Sequence, residues 1–438
     1  MEPFILGIIG VVALLVLLFL GIHIGIALAV VGLIGAIIVS GFDSAIWLVT
    51  TTIYHNIASY TLITIPLFIL MGLLAAGGGV SGKLYDSLSL WLGKIKAGLG
   101  VATVLACTGF GAVCGSSIAV AAIFAKISAP EMRRHGYDKK LAYGICASAG
   151  AIGMLIPPSI LAVVYGIFSG LSIGKLLIAG VGPGILMGIL YSLGIVGIAK
   201  LRPNLIASPE APPVTWRQRW GALPAFWPIL VVAIVIFGGI FGGIFTPTEA
   251  AAVATFVLAI LVIAVMRKRS IGLFTSSLTD AAVMSCMVFL IMAGASVFSR
   301  FMILTGITDS IIQLILGSHL SNLALVILLS IFYLALGCIL DSISMIAVTI
   351  PVLNPVIAGL GIDPIWFAML VITNTQIGII TPPVGIAVYT SKAVAEPDVS
   401  LEDIFSGVIP FVILGIILMV LLIAFPAIIT YLPGLMAH

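Results

Sequence analysis

The chain has 438 residues, 62% of them hydrophobic and 8% charged, and its mean hydropathy is +1.36. Lys and Arg number 18 against 15 Asp and Glu, a formal net charge of +3. An ordinary soluble domain is about 25% charged, so the composition excludes a soluble enzyme, a disordered chain and a nucleic-acid binder, and leaves a polytopic helical membrane protein.

The chain starts Met1-Glu2-Pro3-Phe4 with no basic n-region and no small-residue cleavage site close behind, so its first apolar run reads as a span and not as a cleaved signal. No Asp, Glu, Lys or Arg occurs in 3–42, 44–82, 97–125, 141–174, 176–199, 220–248, 310–340, 364–391 or 404–438. With about 20 residues per span, these intervals hold roughly ten to twelve crossings plus interrupted pieces. The runs are continuous, unlike the alternating segments of a β-barrel.

Within 61–93, Gly77-Gly78-Gly79-Val80-Ser81-Gly82 lies between two short apolar pieces, the pattern expected of a re-entrant hairpin. The interval 97–125 carries Gly109-Phe110-Gly111 and Cys114-Gly115-Ser116-Ser117 deep in apolar sequence. A basic cluster follows, with Lys126, Arg133, Arg134, Lys139 and Lys140. Next, Gly153-Met154-Leu155-Ile156-Pro157-Pro158-Ser159 predicts an unwound stretch inside a long span, because proline removes a backbone donor and clashes with the preceding turn. Lys200, Arg202, Arg217 and Arg219 mark a second basic cluster around the polar linker 203–224, and Arg267-Lys268-Arg269 a third. The positive-inside rule puts all three in the cytoplasm, with an even number of crossings between each pair.

The run 283–317, around Ser299-Arg300 and Thr305-Gly306, reads as a second hairpin. Arg300 stands either as an anchor for an anionic substrate or as a snorkelling residue at a helix end. In 320–392, Asp341 is the only charged residue between Asp309 and Asp363. A carboxylate at that depth costs several kcal/mol unless solvated or paired. It therefore faces a cavity, or pairs with a structural Lys or Arg. Thr373-Asn374-Thr375-Gln376 precedes a second break, Gly378-Ile379-Ile380-Thr381-Pro382-Pro383. Freed carbonyls and these side-chain oxygens suit Na⁺.

The linker divides the chain into 1–202 and 225–438, and the halves echo one another. Ser81-Gly82 and Leu92-Gly93 recur as Thr305-Gly306 and Leu316-Gly317; Gly111 and Ser116 as Gly337 and Ser342; Ile152-Gly153 and Pro157-Pro158 as Ile377-Gly378 and Pro382-Pro383. The shift stays between 224 and 226 over about 80 positions. Two similar halves with matched breaks point to a transporter whose site lies between them. Parallel or inverted copying depends on crossing parity, which the unplaced Lys83, Lys94 and Lys96 leave open. The five cysteines, Cys107, Cys114, Cys146, Cys286 and Cys338, form no CxxC pair, and the five histidines have no metal-ligand spacing. An intramembrane enzyme lacks a second acidic or metal-binding partner here, and no Gly-x-x-x-x-Gly-Lys-Ser/Thr loop serves ATP-driven transport.

Taken together, Gly115-Ser116-Ser117, Pro130-Glu131-Met132, Gly136-Tyr137-Asp138, Ile156-Pro157-Pro158-Ser159, Pro247-Thr248-Glu249-Ala250, Asp341 and Thr381-Pro382-Pro383-Val384-Gly385 resemble the large membrane subunit of tripartite ATP-independent periplasmic (TRAP) transporters. The resemblance covers essentially the whole chain. It implies an all-α polytopic protein of the bacterial inner membrane, with two structural repeats, expected to be inverted, re-entrant hairpins and broken helices in an elevator-type, ion-transporter-like architecture. It implies Na⁺-coupled import of a small organic anion (a C4-dicarboxylate, a sialic acid or another sugar acid) handed over by a periplasmic substrate-binding protein, with a small four-helix membrane subunit as partner. The family pattern favours Ser116, Ser117, Ser159, Asp341 and Ser342 around the substrate, and Arg300, as the candidate anion anchor, is placed with them. It favours Na⁺ at Gly79, Ser81, Gly153, Thr305, Asn374, Thr375, Gln376, Gly378 and Thr381. The alternative is a Na⁺- or H⁺-coupled carrier of the wider ion-transporter type that works without a binding protein.

Overall fold

The computed structural model describes residues 3–93, 95–206, 215–266, 270–307, 310, 313 and 321–436. The basic cluster Arg267-Lys268-Arg269, the Leu316-Gly317 repeat match and much of the linker and of 308–320 lie outside the described residues. Among those described, the chain is helical throughout. In order come α1 (Pro3–Phe19), α2 (Ile24–Ser40), α3 (Phe42–Ile57), α4 (Thr64–Gly77), α5 (Val80–Leu92), α6 (Gly98–Cys114), α7 (Ser117–Arg134), α8 (Lys139–Ala151), α9 (Ile160–Ser169), α10 (Ile173–Ala179) and α11 (Val181–Leu201). The second half holds α12 (Trp216–Ala222), α13 (Trp227–Ala233), which continues through one π-turn to α14 (Gly239–Phe241), α15 (Pro247–Met266) and α16 (Ser270–Leu304). It ends with α17 (Asn322–Gly337), α18 (Ser342–Gly359), α19 (Pro364–Gly378), α20 (Ile386–Ala393), α21 (Leu401–Ala424) and α22 (Ala427–Gly434).

Seven helical stretches among these residues are long and apolar enough to cross a bilayer; α1, α2, α6, α9 and α17 are apolar but shorter. The shortness is structural. α8 and α9 form one path interrupted at 152–159, and α19 and α20 another interrupted at 379–385. Both Pro-Pro bonds, Pro157-Pro158 and Pro382-Pro383, are cis.

Each broken helix packs against a helical hairpin. These hairpins are not at the positions expected from the sequence. Residues 61–93 do fold as α4, a turn at Gly78-Gly79 and α5, but the turn packs on Val262 and Gly77 on Leu273, away from both breaks. In 283–317 the expected interruption at Ser299-Arg300 is absent, because α16 runs unbroken through both residues to Leu304; the helix ends at Thr305-Gly306, the other expected position, where Gly306 turns the chain at φ 65°. The hairpins that reach the breaks are α6–α7, with its tip at Cys114–Ser117, and α17–α18, with its tip at Cys338–Asp341.

Side-chain contacts fix the relative direction of the two units. At the base of α6–α7, Arg133 donates to Asp398 (2.8 Å) and to Glu396, just beyond the end of α20. Near the base of α17–α18, Asn354 Nδ2 donates to the carbonyl of Ser169, at the end of α9 (3.0 Å). Each hairpin base thus meets the far end of the other unit's broken helix. The broken helices run in opposite directions, the hairpins enter from opposite ends, and the repeats are inverted.

Several sequence motifs turn out to be local devices. Gly136, at φ 78°, ends α7, Asp138 caps α8 by accepting from Lys140 N (2.8 Å), and Tyr137 Oη accepts from Gly100 N (3.2 Å). Thr246 and Glu249 form a reciprocal cap at the start of α15. There the Thr248 hydroxyl meets that of Thr64 at 2.8 Å, tying α15 to α4. A small-residue seam lets α2 lie against α16: a Cβ on Gly32 would stand 2.7 Å from the Phe298 backbone, and one on Gly25 2.8 Å from Leu290 O.

The ion pairs at 133–140 and 396–403 close one end of the molecule. Lys139 pairs with Asp403 (2.7 Å) and donates to the Asp398 carbonyl (2.6 Å). The Arg133 guanidinium holds the Asp398 carboxyl below its ordinary range. A carboxyl lowered on folding contributes stability above its unfolded pKa of about 3.9, and that contribution disappears as pH falls through the lowered folded value. The melting temperature of Arg133→Gln is therefore expected to fall relative to the unsubstituted protein at pH 7. The two should converge below about pH 4, read by thermal unfolding in detergent.

Candidate functional site

The site is where hairpin tips meet breaks. Helix α6 ends at Gly115, whose left-handed φ of 63° turns the chain while its N–H donates to Gly111 O (3.0 Å). A Cβ there would stand 2.6 Å from Pro158 O, so glycine is required for both conformation and space. Ser116 caps α7, accepting from Ala119 N at 3.4 Å. Ser159 caps α9 in the same way, accepting from Ala162 N at 3.2 Å. Residues 151–160 are buried throughout. Because prolines 157 and 158 carry no N–H, the carbonyls of Gly153 and Met154 receive no helical donor from them.

The second unit repeats this arrangement with one change. Cys338 O accepts from Val384 N across tip and break (3.3 Å). Asp341 caps α18, accepting from Ile343 N and Ser344 N, both at 3.1 Å, and from the Ser344 hydroxyl. The capping position of Ser116 is therefore filled by Asp341, a shift of 225. The sequence pairing of Ser116 with Ser342 is off by one, and Ser342 corresponds to Ser117 as the first residue of its helix. Neither expected setting of Asp341 is complete. Among the described residues no ion pair to Lys or Arg is found, and the half-buried carboxylate is held instead by a helix N-terminus, where backbone donors and the helix dipole favour negative charge.

Backbone-to-backbone contact holds each tip on its break. A Cβ on Gly111 would stand 2.7 Å from Gly153 Cα, and one on Gly378 would stand 2.6 Å from Gly337 Cα. These two contacts are repeat mates. The units are joined through Ser117. Its buried hydroxyl lies 3.2 Å from Ala151 O in the first break and 2.6 Å from Gln376 Oε1 in α19. One hydroxyl proton serves only one acceptor. Turning the Gln376 amide over lets Ser117 donate to Ala151 O and accept from Nε2, which satisfies both.

The structure thus gathers Ser116, Ser117, Gly153, Ser159 and Gln376 around the first tip, and Asp341, Ser342, Gly378 and Thr381 around the second. Asn374 and Thr375 sit one turn before the second break. The Thr375 and Thr381 hydroxyls donate to Val371 O (2.9 Å) and Ile377 O (2.6 Å), keeping lone pairs free. Three candidate Na⁺ residues lie elsewhere. Gly79 and Ser81 are at the α4–α5 turn, and Thr305 packs on Gly7 of α1 while donating to Met302 O (2.7 Å). Arg300 also stands apart. It lines a cavity of about 320 Å³ with Ser296, Ser299 and Phe168, next to Asn354 near the base of α17–α18 and not at its tip. Sequence reading missed the Gly111–Gly153 and Gly337–Gly378 contacts as a structural pair, although their shared spacing was the signal for them.

No group of three or more His, Cys, Asp or Glu is placed to hold a metal among the described residues. The oxygens at the tips and breaks are carbonyls, hydroxyls, amides and, at the second tip, the Asp341 carboxylate. That all-oxygen donor set suits a hard cation.

Two hairpins directed at two broken helices by an inverted repeat define a helical membrane transporter. The same fold is found in the YdaH transporter of Alcanivorax borkumensis, with a TM-score of 0.64 at 15% identity, covering 88% of this chain and 89% of that one. The chain belongs to the tripartite ATP-independent periplasmic transporter family, DctM component, whose family model matches residues 11–428. It is 34% identical over 406 residues to the C4-dicarboxylate TRAP transporter large permease protein DctM of Pseudomonas aeruginosa, covering 92% of this chain and 93% of that protein. It is 31% identical to the ectoine TRAP transporter large permease protein TeaC of Halomonas elongata, covering 96% and 97%. It is 33% identical to the isethionate TRAP transporter permease protein DctMQ of Oleidesulfovibrio alaskensis, covering 95% of this chain but spanning 64% of that protein's length. The chain is accordingly a large permease of the inner membrane.

Adding one methyl group at Gly378 is expected to force the second tip off its break. Gly378→Ala should destabilise the protein by about 1–3 kcal/mol, with a matching loss of uptake. Gly197→Ala, where nothing lies within 4 Å, should be neutral or slightly stabilising. Thermal unfolding and uptake measured in parallel check this. Removing one partner of the Ser117–Gln376 contact, by Ser117→Ala or Gln376→Leu, leaves a buried polar group unpaired at a cost of about 1–3 kcal/mol. The double variant should cost less than the sum of the two singles, as a double-mutant cycle would show.

Proposed function

We propose that this permease imports a small organic anion in symport with Na⁺, taking it from a periplasmic substrate-binding protein and working with a small membrane subunit. The observation that carries the reading is the meeting of two inverted hairpin–break units through Ser117 and Gln376. Neutral oxygens at each tip, with the Gly153 and Met154 carbonyls released by the prolines, would hold Na⁺. Ser116, Ser117, Ser159, Asp341 and Ser342 would contact the substrate. Family membership favours this over a carrier that works without a binding protein. The relatives' names range over isethionate, C4-dicarboxylate, sialic acid and ectoine. Each of these compounds bears an acidic group, ectoine as a zwitterion and the others as net anions, which favours an acidic solute and leaves its member open. The length that the isethionate permease has beyond the matched part supports a further membrane subunit as partner.

An elevator motion fits the arrangement. The ion pairs at 133–140 and 396–403 link the base of the first hairpin to the end of α20. The two hairpins and two broken helices can then move as one body past α2 and α16. Acting in this body, Asp341 serves as a helix cap and as a fixed negative charge that draws a cation to the second tip. A cation there would offset the repulsion between this carboxylate and an anionic substrate.

Asp341→Asn separates these duties, because asparagine caps as well as aspartate but carries no charge. In proteoliposomes with the small subunit and a loaded binding protein, an inward Na⁺ gradient should drive uptake. Asp341→Asn should lower that uptake by about tenfold or more (about 1.4 kcal/mol or more), while its melting temperature stays near that of the unsubstituted protein. Unchanged uptake and Na⁺ dependence in the variant would leave Asp341 as a cap only. Uptake indifferent to the Na⁺ gradient would refute the coupling.

A further inference from the structure

A cavity of about 410 Å³ that shares no lining residue with the tips lies between α5, the α12–α13 elbow and α15. Its walls are tied together. The Ser87 hydroxyl donates to Ala222 O (2.9 Å), and Trp91 Nε1 donates to Arg219 O (3.2 Å). The Trp91 ring meets those of Trp216 and Trp220 edge to face, with centroids 6.3 and 5.9 Å away, and the Arg219 guanidinium lies 5.1 Å from the Trp216 ring. Three indoles and an arginine beside the polar linker, at the start of an apolar stretch from Trp216 to Phe241, mark the level of a membrane interface.

The lining has two parts. Trp227, Leu261 and Val262 form an apolar wall, on helices that also expose Leu230, Ile234, Ile260 and Ile263. Opposite, Lys83 and Asp86 line the cavity from α5. Three residues apart on a helix, they share one face, roughly 5–6 Å from each other at Cβ. Neither takes part in an ion pair among the described residues. The space equals about one turn of a helix of 10 Å diameter, enough for a headgroup and the start of one chain.

We propose that this cavity binds a phospholipid with a zwitterionic ethanolamine headgroup. Its phosphate sits at Lys83, its primary ammonium at Asp86, and one acyl chain runs over Trp227, Leu261 and Val262. The charges select this chemistry. A purely anionic headgroup would satisfy Lys83 and place a negative group beside Asp86. A choline headgroup has the charges but no N–H to donate to the carboxylate. Bound there, the lipid wedges α5 against α13 and α15, bracing the link between α4 and the first hairpin. The site does not depend on Na⁺ coupling or on the identity of the transported solute.

The full chain, purified and depleted of lipid, is tested by native mass spectrometry and by thermal unfolding after adding phosphatidylethanolamine, phosphatidylcholine or phosphatidylglycerol of matched acyl chains. Phosphatidylethanolamine should bind most tightly and give the largest rise in melting temperature. Asp86→Asn should erase its advantage over phosphatidylglycerol, and Lys83→Gln should weaken all three by about threefold. Both side chains are exposed, so the variants should fold. Equal protection by phosphatidylcholine, a preference for phosphatidylglycerol, or variants that keep the original preference would overturn the proposal. So would loss of the lipid effect once the small subunit is bound, which would mean that a protein covers the cavity.

Discussion

A hydrocarbon solvent offers a peptide group no partner, and that constraint shapes this molecule. Each interruption of a spanning helix sets carbonyls and amides loose where water is scarce. The remedy is contact at backbone range: Gly111 on Gly153 and Gly337 on Gly378, with hydrogen bonds such as Val384 N to Cys338 O across the gap. A side chain at Gly111 or Gly378 would hold the hairpin tip away and leave the break unsatisfied. The same scarcity of donors that makes the break costly also leaves carbonyl oxygens available to a cation, so stability and ligand chemistry have one origin here.

Inversion follows from where the chain turns. α8 starts at the base of the first hairpin and α9 ends at the base of the second, as Ser169 O and Asn354 show. The second unit retraces this path in the other direction and finishes beside Arg133. The halves are not perfect copies. In the first, α3 and α4 are separate helices joined through the short turn at Tyr60–Ile63; in the second, α16 is continuous over 35 residues. Likewise the capping position of the tip is neutral Ser116 in one half and charged Asp341 in the other. A pseudo-symmetric frame thus carries an asymmetric charge, and the second tip alone carries a formal charge.

The sequence made the breaks legible because proline acts locally: wherever two stand together in apolar sequence, a helix cannot continue, whatever packs around it. The repeat was legible for the same reason, through glycines and prolines whose roles leave little freedom. Hairpin positions were less so. Glycine runs and polar residues suggested 61–93 and 283–317, yet Gly77–Gly79 make an ordinary turn against α15 and α16, and Arg300 is carried by an unbroken helix with its side chain in a cavity. Hydropathy cannot tell a helix that turns back at mid-depth from one that crosses, since both are apolar. Asp341 was recognised as exceptional from its isolation, but its capping role depends on where the α18 helix starts, which needs the structure. The role of Gln376 as a bridge to Ser117 could not be read locally at all, since the two are 259 residues apart.

The length of α16 also matters. Thirty-five residues make a rod of about 52 Å, against a hydrocarbon layer of about 30 Å. Its first turns carry Thr275, Ser276, Thr279 and Asp280 on an exposed surface, and the three hydroxyls donate to carbonyls of their own helix. The self-satisfied hydroxyls can sit in headgroups or sink partly into acyl chains at small cost, and Asp280 sets how far, because its carboxylate stays at the headgroup level. The rod therefore has an adjustable foot, and this flank of the protein can match bilayers of unequal thickness without repacking the body it supports.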